Sequence, residues 1–384
     1  MIHVDYEKCV GCEACVNICP QKCIEMEQNE EGFYYPSVDT QKCVSCSLCN
    51  KVCLLEAAPA QNNMEPFQTF AAYAKDDAVR AGSSSGGVFY YLANYVFSIG
   101  GVVFGAAFSE DLTVHHVCAK NAQELKPLMR SKYVQSRVED SYAQVCSYLT
   151  QGIPVLFTGT PCQIDGLKTY LRQKPYENLY FVAVACHGVP GEKVWQQYLR
   201  YLGTQPSLQN VNFRNKKDGW LQYDVTIGNS SKPFFQDPYM RLFLNDYILR
   251  PSCYDCPSKK RASQSCDLMI ADFWGIQQVD PAMFDNKGTS LILVYSEKGN
   301  DLVDKIQDHF VIQPESFTDA LKYNPSIFAS ANMPEKRVAC MNELNTAEVP
   351  DFAQIAQKYC PQKRNHSNLF KRAVRKALRI LHFR

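Results

Sequence analysis

The 384-residue sequence lacks any segment of low complexity, and it lacks the apolar N-terminal stretch that predicts a signal peptide. The second absence matters because 18 cysteines would otherwise suggest a secreted disulfide protein. Thiols that are to stay reduced need a reducing compartment, so we expect a cytoplasmic protein. The hydrophobic fraction of 46% is ample for a packed core, and the length allows two more domains beside a small N-terminal one.

Acidic residues are absent from the C-terminal tail, residues 363–384, which carries eight of the 40 Lys and Arg residues. The remaining chain has 32 basic and 39 acidic residues, which excludes a broad nucleic-acid-binding face. In the tail, Phe370, Val374, Ala377 and Leu381 fall on one helical face with basic residues around it. This pattern predicts a basic amphipathic helix that contacts an anionic membrane surface or an acidic partner. A terminal helix packed on its own domain is the alternative.

Charge is also absent from residues 82–108, a stretch long enough to imitate a membrane span. Asn94 and a pair of glycines interrupt it, and tyrosines and serines dilute it. We therefore predict a helix over residues 86–99, a Gly-Gly turn, and a buried strand over residues 102–108.

Two copies of one cysteine run occupy the first 55 or so residues. Each has the spacing C-x2-C-x2-C-x3-C, which is that of two-cluster bacterial ferredoxins. In such a pair, three closely spaced thiolates hold one cubane and the fourth crosses to the other. The spacing therefore predicts two [4Fe-4S] sites, which we call the first and the second ferredoxin site. The first consists of Cys9, Cys12, Cys15 and Cys53, and the second consists of Cys43, Cys46, Cys49 and Cys19.

A pair of zinc sites is the alternative, but zinc takes four thiolates in two pairs rather than in this three-plus-one run. Between the copies, residues 32–36 predict a short hairpin, as expected if the two halves pack about a pseudo-twofold axis. Cys23 falls outside the spacing and is interpreted as a packed side chain. The N-terminal region is thus predicted to be an electron-transfer module.

From residue 151 the pattern becomes α/β, with short apolar strands at 154–157 and 179–185 separated by a helix. This order predicts a parallel pair of strands. Cys162 and Cys186 follow the two strands, at the edge where open α/β sheets bind ligands.

Cys253 and Cys256 supply a further C-x2-C pair on a loop. Together with Cys162 and Cys186 they make four cysteines from three segments, which we call the inner thiols and interpret as the ligands of a third cluster. The alternatives are buried small residues for the first two, and a zinc pair or redox dithiol for Cys253 and Cys256. Cys266 is the rival for one ligand position. The isolated cysteines are interpreted as core or surface thiols, namely Cys118, Cys146, Cys340 and Cys360.

A serine- and glycine-rich loop, residues 83–87, opens the predicted helix at 86–99. Such a loop offers backbone N–H groups and the positive end of the helix dipole, which suits a phosphate or a flavin edge. Plain N-capping by Ser85 is the alternative. Further on, residues 130–136 place a cation and hydroxyls in one polar segment, which by itself is typical of an ordinary loop.

Five motifs, in this order, resemble the coenzyme F420 hydrogenase/dehydrogenase beta-subunit family, here preceded by a ferredoxin domain. They are Ser83-Ser84-Ser85-Gly86-Gly87, Ser131-Lys132-Tyr133-Val134-Gln135-Ser136, Gly159-Thr160-Pro161-Cys162-Gln163, Cys186-His187-Gly188-Val189-Pro190 and Asp272-Phe273-Trp274-Gly275. The resemblance covers roughly residues 1–330. It implies a flavin, usually FAD, and a [4Fe-4S] cluster beside it in the beta-subunit body. The family also includes many bacterial proteins associated with surface-glycan assembly.

Carried over residue by residue, the resemblance assigns flavin contacts to the first two motifs and cluster ligands to the inner thiols. The implied flavin-binding residues are Ser83, Ser84, Ser85, Gly86, Gly87, Ser131, Lys132, Tyr133, Gln135 and Ser136. The implied cluster ligands are Cys162, Cys186, Cys253 and Cys256. The sequence departs from the family around residues 259–266, where the loop contains the additional Cys266.

The expected fold combines α+β and α/β parts: a bacterial two-[4Fe-4S] ferredoxin domain, then a flavin-binding α/β body with a mixed sheet. The predicted domains are the ferredoxin domain at 1–58, a flavin-binding domain at 66–150, an α/β domain with the inner cluster at 151–335, and a helical basic tail at 336–384.

The expected function is that of an iron–sulfur flavoprotein oxidoreductase, which takes electrons from a ferredoxin or other redox partner and passes them to a small-molecule substrate. The resemblance implies surface polysaccharide biosynthesis as one setting for it. An electron-relay subunit without its own substrate is the alternative. His187 is the first candidate proton donor, because imidazole titrates near neutral pH. It is equally consistent with a histidine that only hydrogen-bonds a cluster sulfide. Asp272 and Lys132 are the further candidates.

Overall fold

The computed structural model describes residues 2, 4–56, 65–203, 210–259 and 266–361. Its N-terminal part contains two short helices and an antiparallel hairpin. These elements are α1 Ala14–Ile18, β1 Ile24–Gln28, β2 Tyr34–Val38 and α2 Leu48–Lys51. The predicted hairpin is confirmed, although its paired strands extend beyond residues 32–36 on both sides.

The two halves of this N-terminal part repeat the same local geometry. Glu13 precedes α1 with φ of 60°, and Ser47 precedes α2 with the same φ of 60°. Each of these residues directly follows the second cysteine of its run. A left-handed residue at the same place in both copies is the backbone counterpart of the repeated cysteine spacing.

The body that follows contains eleven strands among its described residues. They are β3 Gln68–Ala74, β4 Val102–Phe108, β5 Val114–Ala119, β6 Val155–Gly159, β7 Leu179–Val184, β8 Val211–Asn215, β9 Asp224–Ile227, β10 Ser230–Pro233, β11 Leu268–Asp272, β12 Ser290–Val294 and β13 Phe310–Pro314. Eight of them form one sheet, in the order β13-β3-β12-β11-β7-β6-β4-β5, and β8, β9 and β10 form a separate three-stranded sheet.

The large sheet is mixed, as predicted. Its four central strands, β11, β7, β6 and β4, run parallel to one another. The remaining strands join in antiparallel fashion, β5 on one side and β12, β3 and β13 on the other. The parallel pair expected at 154–157 and 179–185 is β6 and β7, so that prediction is confirmed.

Helices cover both faces of the large sheet. The helices of the described body are α3 Asp77–Gly82, α4 Val88–Ser98, α5 Ser141–Thr150, α6 Pro161–Tyr170, α7 Glu192–Tyr201, α8 Pro238–Leu244, α9 Ile276–Val279, α10 Glu297–Ile306, α11 Phe317–Tyr323, α12 Arg337–Asn345 and α13 Phe352–Tyr359. Alternate residues of β6 point to opposite faces, so that Phe157 packs with Ile164 of α6 while Leu156 packs with Leu92 of α4. β6 is therefore buried on both sides, as its apolar sequence requires.

The uncharged stretch at 82–108 folds as the sequence indicates. It forms α4, a turn at Gly100 and Gly101, and the strand β4. Val88, Leu92 and Val96 line the buried side of α4. No helix in the described part of the chain is long and apolar enough to cross a membrane.

The strands of the large sheet come from both of the body domains predicted from the sequence. β3, β4 and β5 lie within residues 66–150, and the other five strands lie within residues 151–335. The two ranges thus share one sheet, and the division between them stays a prediction. The basic tail at 363–384 lies outside the described residues, as does the linker at 57–64.

Candidate iron–sulfur and flavin sites

The first ferredoxin site gathers its four predicted ligands around one pocket. Cys9, Cys12, Cys15 and Cys53 all line one pocket, together with mostly apolar side chains. Burial raises the pKa of the Cys12 thiol to about 12, and the neighbouring Cys9 and Cys53 thiols add to the rise. Four soft sulfur donors in one apolar pocket are a donor set that suits an iron–sulfur cluster.

The second ferredoxin site is a separate pocket. Its lining includes the other four predicted ligands, Cys19, Cys43, Cys46 and Cys49. Cys23 also lines this pocket, and its Sγ lies 3.5 Å from the Sγ of Cys19. The side chain is buried, as expected, but it packs against a predicted ligand rather than in a general core.

The inner thiols come together from three segments of the body. Burial raises the pKa of the Cys162 thiol far above its usual value, and the nearby thiols of Cys256, Cys186 and Cys253 raise it further. The hydroxyl of Thr160 lies 3.1 Å from the Sγ of Cys162. Cys266 packs in the main core, where Asp267 and Lys168 are its charged neighbours.

A single zinc ion and a four-iron cluster need different thiolate spacings. Zinc takes its four ligands at about 2.3 Å from one point, whereas a cubane takes one thiolate at each of its irons. Within the described ranges, no group of three or more His, Cys, Asp or Glu side chains is spaced to hold one metal ion.

One edge of the large sheet brings the inner thiols and the Ser/Gly loop, residues 83–87, into a single row. Cys162 and Cys186 follow the carboxyl ends of β6 and β7. β11 lies beside β7 and ends at Asp272, which pairs with Ser290 at the start of β12. Ser290 in turn pairs with Ala72 near the end of β3, the strand that leads to the loop. This is the ligand-binding edge expected for such a sheet.

The Ser/Gly loop is held by hydrogen bonds to the sheet and to the segment at 131–136. The backbone N–H of Ser131 donates to Ser84 Oγ at 2.9 Å, and the Ser131 hydroxyl lies 3.0 Å from the same oxygen. Ser83 donates to the carbonyl of Val79, and Ser85 donates to the carbonyl of Thr289. The loop and the segment, separate in sequence, therefore meet at Ser84 and Ser131.

Two expectations about this loop change. The N-cap of α4 is Gly87 with φ of 97°, and no side chain caps the helix, so the alternative role of Ser85 as N-cap is wrong. A Cβ at Gly86 would lie 2.3 Å from the carbonyl oxygen of Ala72, so the sheet itself requires a glycine there. The close approach of a flavin is not needed to explain Gly86.

The remaining residues of the segment at 131–136 face other partners. Gln135 donates to the carbonyl of Val10 in the ferredoxin domain. Ser136 is bonded to His116, and the Tyr133 hydroxyl accepts from Arg214. Within this segment, Ser131 is thus the residue that hydrogen-bonds to the Ser/Gly loop.

Comparisons with known families match both halves of this architecture. Residues 8–57 match the family model of the 4Fe-4S dicluster domain. Residues 154–320 match the model of the C-terminal region of the coenzyme F420 hydrogenase/dehydrogenase beta subunit. The chain thus joins a dicluster ferredoxin domain to a region that is similar to the C-terminal part of the F420 hydrogenase/dehydrogenase beta subunit. The resemblance inferred from the sequence is confirmed for these two ranges, and the chain is an iron–sulfur protein of the electron-transferring oxidoreductase type.

Among solved structures, a chain of the F420-reducing [NiFe] hydrogenase complex from Methanosarcina barkeri, studied by xenon derivatization, is similar with a TM-score of 0.49. The two chains are 15% identical, and the similarity covers 79% of this chain and 94% of that chain. No curated protein sequence matches the chain.

The three candidate proton donors have different surroundings. His187 Nε2 lies 2.6 Å from a carboxylate oxygen of Asp246, which orients the ring. Asp272 is held by both terminal nitrogens of Arg214 and by the indole N–H of Trp220. The other ring nitrogen of His187, Nδ1, can make a further hydrogen bond, whereas both carboxylate oxygens of Asp272 already accept hydrogen bonds.

Lys132, the third candidate, points its ammonium at backbone carbonyls. It donates to Pro127 and Met129 at 2.7 Å each. Burial lowers its pKa to about 7, and the nearby Arg130 contributes. The side chain therefore anchors the turn that carries Ser131.

The sequence analysis did not identify two basic residues that lie near these sites, Lys216 and Arg250. Lys216 donates to the carbonyls of Ser85, Arg80 and Lys287, and burial lowers its pKa to about 7. Arg250 is 1% exposed and bonds to the ferredoxin domain. Both residues come from segments without a recognisable motif, so only the tertiary contacts identify them.

Proposed function

We propose that this protein is an iron–sulfur flavoprotein oxidoreductase that exchanges electrons between a ferredoxin-type partner and an organic substrate. One observation carries the proposal: a single sheet edge holds the Ser/Gly loop, Asp272, Cys186 and Cys162 in spatial order. Groups suited to an iron–sulfur cluster and groups suited to a flavin are therefore neighbours. Two kinds of redox centre side by side are what such an enzyme needs.

The inner thiols suit a third [4Fe-4S] cluster in their donor chemistry and in their surroundings. Lys259 is 3% exposed and donates to the carbonyl of Ala329 at 2.7 Å. It is also close enough to Cys186 for its positive charge to favour the thiolate. A buried ammonium is costly without a counter-charge, and an anionic thiolate cluster beside it supplies one. The residues present thus fit the group.

The Ser/Gly loop suits the phosphate end of FAD. It precedes α4, whose N-terminus has no side-chain cap and therefore presents the positive end of the helix dipole. Ser84 and Ser131 supply hydroxyls, and the side-chain nitrogen of Lys216 lies close to the loop, 3.0 Å from the carbonyl of Ser85. Backbone N–H groups, hydroxyls and cations together are a common way to bind phosphate.

When bound, the clusters supply one-electron transfer and the flavin couples it to two-electron chemistry on a substrate. The contribution of the protein is position and proton supply. Asp246 holds His187 next to Cys186, with Nδ1 as the atom able to exchange a proton. Asp272 is committed to Arg214 and Trp220, so we assign it an anchoring role.

The iron content of cysteine variants tests the inner cluster. Two ferredoxin clusters account for about eight irons per chain, and a third raises the number to about twelve. Anaerobically reconstituted Cys162→Ser should lose about a third of its iron, because a serine oxygen binds iron poorly. Cys118→Ser, at a half-buried thiol on β5, is the matched control and should keep the full content. A count near eight in all three proteins would show that the inner thiols are structural.

Two further measurements test the proposed function, namely the flavin content of the chain and its ability to oxidise reduced ferredoxin. The purified chain should contain about one flavin and should oxidise a reduced ferredoxin when its substrate is present. If the flavin and all clusters are present but oxidation requires a second protein, the chain is an electron-relay subunit instead.

A further inference from the structure

The two ferredoxin sites differ in what surrounds them. Cys12 of the first site packs directly against Gly166 of α6 in the body. A Cβ at Gly166 would lie 2.8 Å from Cys12 Cβ and 3.2 Å from its Sγ. The first site therefore faces the interior of the protein, at a contact close enough to exclude any side chain at residue 166.

The same helix connects this contact to the inner thiols. α6 carries Cys162 in its first turn and Gly166 one turn later. Tyr142 lies beside this part of the helix: its hydroxyl donates to the carbonyl of Gln163 at 2.7 Å, and a Cβ at Gly166 would lie 2.7 Å from the same hydroxyl. Cys12 and Tyr142 thus both lie against Gly166, one helical turn after Cys162 on the same helix.

The body also fixes the backbone of the first site. Arg250 Nε donates to the carbonyl of Cys9 at 2.7 Å, and Gln135 donates to the carbonyl of Val10 at 3.2 Å. The loop that carries Cys9 and Cys12 is consequently held in register with the body.

The second ferredoxin site is open to solvent. Its loop at 44–47 is exposed over four successive residues, including Cys46, and Val44 is 62% exposed. The residues that line this pocket carry no charged side chain. An uncharged, exposed loop directly over a redox site is suited to brief contact with another protein.

We propose that the second ferredoxin site is the port at which a small one-electron carrier protein docks, and that the first site is the internal junction to the body. This inference rests on the proposed function. The carrier, itself an iron–sulfur protein, loses one electron and this chain gains one, with no proton transfer and no bond formed. Encounters between redox proteins need little contact area, so an exposed loop of a few residues is sufficient for the contact.

A charge placed on the loop tests the docking. Val44→Glu changes an exposed side chain and should leave the iron content and the EPR spectrum of the reduced protein intact. Reduction by a two-[4Fe-4S] ferredoxin, followed by stopped-flow bleaching of the visible absorbance, should slow on the order of tenfold, because the charge must be desolvated at the contact. Reduction by dithionite in the same variant gives the reference rate. Titration calorimetry with the oxidised ferredoxin should show a similar loss of affinity.

Val349→Glu, at a position 49% exposed, is the matched control and should not change the rate with ferredoxin. An equal rate for wild type and Val44→Glu would overturn the docking proposal, and so would equal slowing by the two variants. These outcomes leave the iron count of the inner thiols unaffected, so they are distinct from a failure of the proposed function.

The junction is tested by Gly166→Ala, whose Cβ must displace Cys12 or Tyr142. Binding of ferredoxin should be unchanged, whereas the slower phase of reduction, which reports electrons reaching the body, should slow at least about fivefold. EPR of the reduced, reconstituted protein should also show a weaker magnetic interaction between a cluster at the first site and a cluster held by the inner thiols. If Gly166→Ala instead weakens ferredoxin binding and leaves the slow phase unchanged, the assignment of the two sites is reversed. Ferredoxin binding and a far-ultraviolet circular dichroism spectrum equal to those of wild type show that Gly166→Ala is folded, so that a slower second phase reports the junction.

Discussion

At the scale of single residues, His116 shows how a buried polar group shapes the stability of the body. Its Nδ1 lies 2.8 Å from the Ser136 hydroxyl, and its Nε2 lies 3.0 Å from the carbonyl of Thr158. Because a carbonyl only accepts, Nε2 carries the proton and Nδ1 accepts from Ser136. Burial lowers the pKa of the ring to about 4, and the charge of Lys132 contributes.

The stability of the body should therefore fall in mild acid. Above pH 6.5 His116 is neutral in both the folded and the unfolded state, and its contribution is fully present. As the pH falls from 6.5 towards 4, His116 binds a proton in the unfolded chain but stays neutral in the folded protein. The free energy of unfolding therefore decreases. This term should lower the free energy of unfolding by about 2 kcal/mol at pH 5 relative to pH 7.

Urea unfolding of wild type and His116→Gln, followed by tryptophan fluorescence, measures this term, since all three tryptophans lie in the body. The glutamine cannot titrate, so the difference between the two proteins should shrink by about 2 kcal/mol at pH 5. A difference that does not depend on pH would show that His116 is not the group responsible.

At the scale of elements, the Ser/Gly loop meets the segment at 131–136 through Ser84 and Ser131, which are 47 residues apart. Ser84 accepts from Ser131, which leaves the Ser84 hydroxyl hydrogen free to donate to a ligand. Ser83, its neighbour, bonds one turn back to Val79 within the same element. Two adjacent serines thus have different roles.

Ser84→Ala should weaken flavin binding about tenfold, the effect of losing roughly one hydrogen bond, while the thermal midpoint changes little. Ser83→Ala is the control and should retain flavin like wild type. The measurement is equilibrium dialysis of the apoprotein with FAD. Equal binding by both variants would move the flavin away from this loop.

At the scale of the whole molecule, the ferredoxin domain is attached to the body by buried charged side chains. Arg250 donates to Cys9, Tyr34 and Gln135, and its guanidinium lies 4.2 Å from the ring centre of Tyr35. Arg337 forms a two-bonded ion pair with Glu31 on the hairpin side. These arginines fix two different parts of the ferredoxin domain.

Arg250→Met should destabilise this attachment by about 2–3 kcal/mol, because it leaves buried carbonyls without a donor. Iron of the first ferredoxin site should then be lost faster to a chelator, with the second site unaffected. Arg337→Met removes a similar side chain on the hairpin side and should leave the rate of iron loss unchanged. If Arg250→Met lost iron at equal rates from both ferredoxin sites, Arg250 would not be the residue that holds the first site.

The sequence by itself determined the local and periodic features of this protein. The repeated cysteine run predicted which thiols belong to each ferredoxin site, because the spacing follows from how one chain wraps two cubanes. The apolar patterns at 102–108, 154–157 and 179–185 predicted strands, because burial on both faces leaves a continuous apolar signature.

Only the tertiary structure decided how distant segments meet. Nothing in the sequence indicates that the carbonyl of Ala72 leaves room only for glycine at residue 86. Nor does the sequence indicate that Gln135 bonds to the ferredoxin domain, or that Gly166 contacts Cys12. These contacts join residues far apart along the chain, and no periodicity or motif records such pairs. The physical reason is that packing and buried hydrogen bonds are satisfied between elements, after each element has formed from its own local pattern.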